Sequence, residues 1–311
     1  FRFFKNDYLT LKWAQVFDDT AKNNMASLDP SSIFVNYEHW SEKGIAGGFL
    51  YSRSGKDFNP EMGFQERLNI TQYAGRIRYG WIPGENSPLL NHGIEIMAMS
   101  FLDNAYGKTQ SLEMGIQYQL NTKSYFGFEF RANHQYENVL QDYPISRTGD
   151  VGIPAGEYSF NAIDMHLFTP ESNKLSFFLM MGGGEFFDGT RYSIMLEPKW
   201  NISSFLQLGL NYEYILLRFP DRNQSFNGHI PRFKALLMFS TKLSLNTFIQ
   251  YNSDENNITT NLRLRYNPRE GNDFYIVFNE GRNTDLYIES PTLPAVNNRV
   301  LMLKYTYTFR L

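Results

Sequence analysis

The sequence has no cysteine, so neither a disulfide framework nor a thiolate metal site is available to it. No run approaches ~18 consecutive apolar residues, which excludes a transmembrane helix. A strong excess of one charge is also missing. The net charge is -3, which gives no electrostatic reason to expect nucleic acid or an acidic ligand. Helical periodicity, heptads and low-complexity tracts are absent, as are the HExxH, GxSxG, P-loop and dinucleotide fingerprints. The opening residues, FRFFKNDYLTLKW, show no basic n-region, apolar h-region or cleavage site. Export of a barrel requires such a signal, so the expectation is a mature or truncated piece of a longer chain.

What is present is alternation. In the closing stretch RVLMLKYTYTFRL, Leu301, Leu303, Tyr305, Tyr307, Phe309 and Leu311 share one parity. Met302, Lys304, Thr306, Thr308 and Arg310 share the other. Successive side chains of a strand point to opposite faces, so one face is continuously apolar and aromatic and the other mostly polar. A strand ending on aromatic residues, with charge on the opposite face, fits the lipid-facing girdle and wet lumen of a membrane barrel. The 27 Phe and 20 Tyr supply interfacial belts. A mean hydropathy of -0.41 does not oppose this, because only alternate barrel residues meet lipid.

The same alternation recurs along the chain. Leu112, Met114, Ile116, Tyr118 and Leu120 oppose Glu113, Gly115, Gln117 and Gln119, and Phe126, Phe128 and Phe130 oppose Gly127, Glu129 and Arg131. Further strands are expected at Asp7 to Asp18, Ile33 to Trp40, Ile45 to Ser52, Leu68 to Trp81, Gly93 to Phe101, Tyr158 to Phe168, Leu175 to Phe186, Thr190 to Trp200, Phe205 to Leu217, Ile230 to Ser240, Leu245 to Tyr251, Ile258 to Tyr266 and Phe274 to Glu280. Short connections (SEKG, PGENSP, NTKS, ESNK, NISS, STKLS, NPREGND) interleave with mostly longer ones: Asp19 to Pro30, Asp57 to Glu66, Leu140 to Gly156, Phe219 to Gly228 and Asp285 to Asn298. Bacterial barrels have short periplasmic turns and long extracellular loops. The expected fold is therefore an antiparallel transmembrane β-barrel of about sixteen strands spanning residues 1–311. It would lie in a Gram-negative outer membrane with the C-terminus periplasmic and the long loops extracellular. A soluble β-sandwich has no reason to maintain both patterns.

Several ordered segments carry a family resemblance: GFQERLNI (Gly63 to Ile70), IPAGEYSF (Ile153 to Phe160), GGGEFFDGTR (Gly182 to Arg191), Phe248 to Asp285 and KYTYTFRL. The chain resembles the C-terminal outer-membrane barrel domain, of unknown function, of large Bacteroidota proteins. Those proteins usually carry an N-terminal domain similar to family-9 carbohydrate-binding modules. The resemblance implies an absent N-terminal module, absent first strands and hence more strands in the intact barrel. It supplies no catalytic residues. Glycan binding in the family rests on the absent module.

Candidate functional residues follow from parity. Arg76, Arg78, Glu95, Glu113, Glu129, Glu213, Arg263, Arg265, Lys304 and Arg310 fall on the lumen side, where charge can bias ion or sugar passage. Alternatively they pair across strands and fill the interior. In the first case, changing Glu95, Glu113 and Glu129 to Gln would reduce cation preference. Tyr305, Tyr307, Phe309 and Leu311 read as lipid girdle and assembly signal. Asp164 and His166 share a face as an acid–base pair or two metal ligands would, but no third ligand or nucleophile lies nearby. A hydrogen-bonded lumen pair is the plainer reading. NSDENN (Asn252 to Asn257) offers oxygen ligands for Ca²⁺ without EF-hand spacing, and a plain turn accounts for it. Gly182 to Gly184 mark a bend or a close backbone approach. Barrel enzymes cleave lipids or peptides with residues on the outer wall or loop rims. Asp221 with His229, or His134 near a strand top, are the only material for that here.

The expected function is a membrane anchor or scaffold for a surface or periplasmic binding component, non-enzymatic, without cofactor or metal. An open pore for sugars or other small solutes and a barrel hydrolase are the alternatives. Expected partners are outer-membrane lipid, the barrel assembly machinery, and partner proteins or a glycan ligand, with no nucleic acid.

Overall fold

A computed structural model describes residues 2–17, 27–60, 63, 67–288 and 290–309. The expectations for Arg310 and Leu311, and for most of Asp19 to Pro30 and Asp57 to Glu66 in part, lie outside the described residues. The strands are β1 (Arg2–Phe4), β2 (Asp7–Gln15), β3 (Ser31–His39), β4 (Gly44–Ser54), β5 (Ile70–Trp81), β6 (Leu89–Asp103), β7 (Thr109–Thr122), β8 (Gly127–Val139), β9 (Tyr143–Pro144) and β10 (Gly152–Ile153). They continue with β11 (Gly156–Phe168), β12 (Leu175–Phe186), β13 (Gly189–Asn201), β14 (Leu206–Phe219), β15 (Gln224–Met238), β16 (Leu243–Asn252), β17 (Asn257–Arg269), β18 (Asn272–Asn283) and β19 (Val296–Tyr307). Among the described residues no helix is long and apolar enough to cross a membrane. The fold class is an antiparallel transmembrane β-barrel.

The chain divides into two compact units. The first comprises Phe1–Tyr143, Gly152–Met165 and Gly184–Asp188. In it β2 to β8 pair in chain order, with β11 beside β8. One outward row is apolar from β5 to β8: Ile77 pairs with Ile96, Ile96 with Ile116, and Ile116 with Ala132. Ile77 is 68% exposed and Ile96 62%, whereas Phe160 and Ala162, of the opposite parity on β11, are buried. Exposed isoleucines in register make sense where the solvent is hydrocarbon. Aromatic rings bound this band. Tyr51 and Tyr73 lie on one side, with centroids 5.4 Å apart. Tyr79, Trp81 and His92 lie on the other, at 4.7 and 4.9 Å.

The second unit comprises Pro144–Val151, His166–Gly183 and Gly189–Leu311, with β13 to β19 paired in chain order. Its outward rows repeat the pattern. Leu264 faces Ile276, which faces Leu303, and Tyr266 faces Phe274, which faces Tyr305. The alternate row is Arg265, Tyr275 and Lys304. The girdle residues Tyr305, Tyr307 and Phe309 are exposed and in ring contact in sequence, at 6.4 and 4.6 Å.

The segment Phe219 to Gly228, expected as a polar loop, is mostly strand. Only a 3-10 turn at Pro220–Arg222 and left-handed Asn223 separate β14 from β15. The ladder continues through Phe219↔Gln224, Arg218↔Ser225 and Leu217↔Phe226. Polar residues here alternate with apolar ones, and pairing against Leu216 and Leu217 carries them into the sheet. The contrast between short and long connections is correspondingly weaker than the sequence suggested.

Candidate functional site

Parity and register bring most of the predicted charges onto concave walls. In the first unit Glu38, Arg76, Glu95, Glu113 and Arg131 line a recess of about 600 Å³. Arg78 joins Arg76 and Glu95 in an adjoining recess of similar size. Opposite charges interleave. The Arg76 guanidinium lies 3.4 Å from Glu38 and 5.4 Å above the Trp40 ring. Arg131 lies 3.5 Å from Glu129 and donates twice to the Gln117 amide oxygen. Glu95 stands across the ladder from Arg78.

The second unit has its own recess of about 650 Å³, lined by Glu171, Glu197, Lys199, Lys234, Asn261 and Arg263 among others. Lys234 lies 3.4 Å from Glu197 and Lys199 3.0 Å from Glu171. Arg232, which the sequence reading did not single out, has several partners. It donates to Asn211, Gln250 and Glu213. Its signal was visible in the sequence, since Glu213 was singled out and β15 is the adjacent strand. Arg265 lies 2.7 Å from Asp273.

At the end bearing the longer connections, residues 144–151 form a compact knot within the second unit. Asp150 accepts from Ser146 Oγ at 2.6 Å and from Thr148 Oγ1. The Arg147 amide donates to the Asp254 carboxylate at 3.1 Å, and Gln224 donates to the Asp150 carbonyl at 2.8 Å. Asn252 to Asn257 is thus a turn whose acid serves the knot. Asn252 Oδ1 accepts from the Asp254 backbone amide, and Asn256 is left-handed. The Ser146 and Thr148 hydroxyls hold the Asp150 carboxyl below its usual value. Because the folded value is the lower one, the knot's stabilisation is fully present above the ordinary aspartate range. It is lost as pH falls through the depressed value. Protection of the Val151 amide, which donates to Ser146 Oγ, is expected to fall on acidification. Ser146→Ala should weaken that pH dependence, since Thr148 still donates to the carboxylate.

The outer wall of the first unit is not uniformly apolar. His134 of β8 places Nε2 3.2 Å from Ser159 Oγ and Nδ1 3.0 Å from Asn161 Oδ1, both on β11. Asn161 donates to Glu185 of β12 from Nδ2 at 3.0 Å and from its backbone amide at 2.8 Å. Gly184 makes this approach possible. It has φ +145°, and a Cβ there would lie 2.5 Å from the Asn161 carbonyl oxygen. The glycine run is therefore a close approach at this residue.

His229 is on β15 and meets the Tyr212 hydroxyl at 2.7 Å rather than Asp221. His166 packs against Phe178. Among the described residues no group of three or more acids and histidines could hold a metal.

No family model matches the chain, and no curated protein does. Among solved structures, the chain is similar to the FrpB iron transporter from Neisseria meningitidis (F3-3 variant). The identity is 10% and the TM-score 0.45, over 81% of this chain and 53% of that one. It is also similar to the siderophore receptor PirA from Acinetobacter baumannii. There the identity is 10% and the TM-score 0.43, over 99% of this chain and 59% of that one. The chain thus spans a little over half the length of the solved structures it matches. Its assignment as an antiparallel transmembrane β-barrel rests on its own strand ladder and alternating walls.

Proposed function

We propose that this chain is an outer-membrane β-barrel that anchors a surface or periplasmic binding component, with its longer connections outward. In this reading its interior is a wall of paired charges and not a charge filter. The observation that supports this reading is the pairing itself: Arg76 with Glu38, Arg131 with Glu129, Arg232 with Glu213, and Arg265 with Asp273. A selective pore presents rings of like charge to the permeating ion. Opposite charges a few ångströms apart cancel within about a Debye length, roughly 8 Å at physiological salt. Val151, Leu217 and Phe219 are also buried in the second unit, which supports a packed apolar cluster beside its longer connections. Outer-membrane lipid and the assembly machinery that would read the terminal aromatic strand are the partners this role requires.

The test is single-channel recording of the full chain in a planar bilayer under a salt gradient. The anchor reading predicts silence, or a reversal potential unchanged when Glu95, Glu113 and Glu129 are all replaced by Gln. Steady cation-selective steps that lose their selectivity in the triple variant would overturn it in favour of a solute pore.

A further inference from the structure

The outer-wall cluster has no part in anchoring. Ser159 and Asn161 share the parity of Ile163, which is 52% exposed, whereas Phe160 and Ala162 between them are buried. His134 shares the parity of exposed Phe130 and pairs across the ladder with exposed Met114. These polar groups therefore stand on the lipid side, one register row from Ile116 and Ala132. Polar side chains facing hydrocarbon are costly, and when they cluster they mark function more often than structure.

Their hydrogen bonds fix a direction. The Glu185 carboxylate only accepts, so Asn161 must turn its NH₂ toward it and its carbonyl oxygen toward His134. That oxygen takes a proton from Nδ1, and in the neutral imidazole Nε2 is then the acceptor facing the Ser159 hydroxyl. A hydroxyl on an unprotonated imidazole nitrogen, with the ring oriented from behind, is the nucleophile–base–orienter arrangement that recurs on unrelated folds. A merely solvated trio would not need three strands to set one tautomer.

We propose that Ser159 and His134 hydrolyse acyl esters of membrane amphiphiles at the outer wall, with Asn161 and Glu185 as positioning residues. Ser159 Oγ attacks the ester carbonyl carbon while its proton passes to His134 Nε2. The tetrahedral adduct collapses with cleavage of the ester C–O bond, and His134 returns the proton to the departing alcohol. Water then adds to the acyl-serine, gives a proton to His134, and releases the carboxylic acid as Ser159 is reprotonated. The net change is ester plus water to acid plus alcohol, with no redox partner. The apolar surface of Met114, Phe130 and Ile163 beside the cluster selects an acyl chain lying against the wall. This inference is independent of what the interior does, since it needs only the outer face to meet lipid.

The test uses the full chain in detergent micelles, its folding verified by heat-modifiable gel migration. A fluorophosphonate probe should label Ser159, located by peptide mass spectrometry. Labelling should vanish in Ser159→Ala and slow by about a thousand-fold in His134→Ala. Long-chain esters in mixed micelles and phosphatidylethanolamine vesicles should be hydrolysed in preference to a water-soluble acetyl ester. Asn161→Ala should lower kcat with KM unchanged, and Asn161→Asp combined with Glu185→Gln, which keeps an acceptor for Nδ1–H and a donor beside it, should restore most of it. A folded wild-type chain that neither labels nor cleaves either ester overturns the proposal, as does equal labelling of Ser159→Ala. Activity confined to the acetyl ester overturns the assigned substrate class. A kcat unaffected by Asn161→Ala overturns its positioning role.

Discussion

Replacing Ile77 by Arg is expected to lower the unfolding free energy in a phospholipid bilayer by about 2 kcal/mol or more. On a water-facing surface the same change, at a side chain 68% exposed, would stay within about 0.5 kcal/mol. The difference arises because the guanidinium here would enter hydrocarbon. Ile77 stands in register with Ile96 and, beyond it, Ile116, and its partners across the two flanking ladders, Gly47 and Ile96, carry no charge. Adjacent Arg76 points to the other face, 3.4 Å from Glu38. Arg76→Ala would therefore expose a wetted carboxylate at small cost. Guanidinium titrations of Ile77→Arg, Ile77→Leu and Arg76→Ala in the same bilayers make the comparison. A neutral Ile77→Arg would place that face in water.

Phe219→Ala is expected to cost about 3–5 kcal/mol through the cavity it leaves. Phe219 is fully buried at the end of β14, next to Leu217 on the same inward parity. Its ring lies against Gly189, where an added Cβ would be 2.5 Å from Cδ1, and beneath the Arg222 guanidinium at 4.2 Å. Little can collapse into the space, because Gly189 has no side chain and Pro220 fixes the turn beyond it. Gly189→Ala should be damaging from the opposite direction, its Cβ meeting the Arg218 carbonyl oxygen at 2.2 Å. Phe205→Ala, at an exposed turn residue, is the matched control and should change stability far less. Equal losses at Phe205 and Phe219 would contradict a buried, load-sharing Phe219 ring.

Much of this architecture is legible in sequence because a strand's period of two leaves a direct imprint. Rows such as Ile77, Ile96 and Ile116, or Leu264, Ile276 and Leu303, are visible as parity before any register is known. The ends of strands are less legible. DRNQSFNG is as polar as any loop, yet Ser225 and Phe226 continue the ladder because Arg218 and Leu217 stand opposite them. Pairing of that kind is not encoded locally.

Lumen charges could be assigned to a face but not to partners. Arg232 emerges as a hub only once the ladders set it between Asn211 and Gln250, with Glu213 two residues farther along β14. The outer-wall cluster carries no motif, with His134 twenty-five residues before Ser159 and Glu185 on a third strand. One signal for it was present: Ser159 and Asn161 occupy the parity on which Ile163, Met165 and Leu167 continue. A polar interruption of a lipid-facing stripe is a feature that single-sequence reading can test for.

The most direct test of the account is the alternation itself. The chain has no cysteine, so single cysteines can be placed one at a time from Tyr73 to Tyr79, labelled with an environment-sensitive dye and reconstituted. The account predicts period-two quenching. Brominated lipid should quench positions 73, 75, 77 and 79, and an aqueous quencher should reach 74, 76 and 78. Uniform access of the aqueous quencher to both sets would contradict a wall with one face in the membrane.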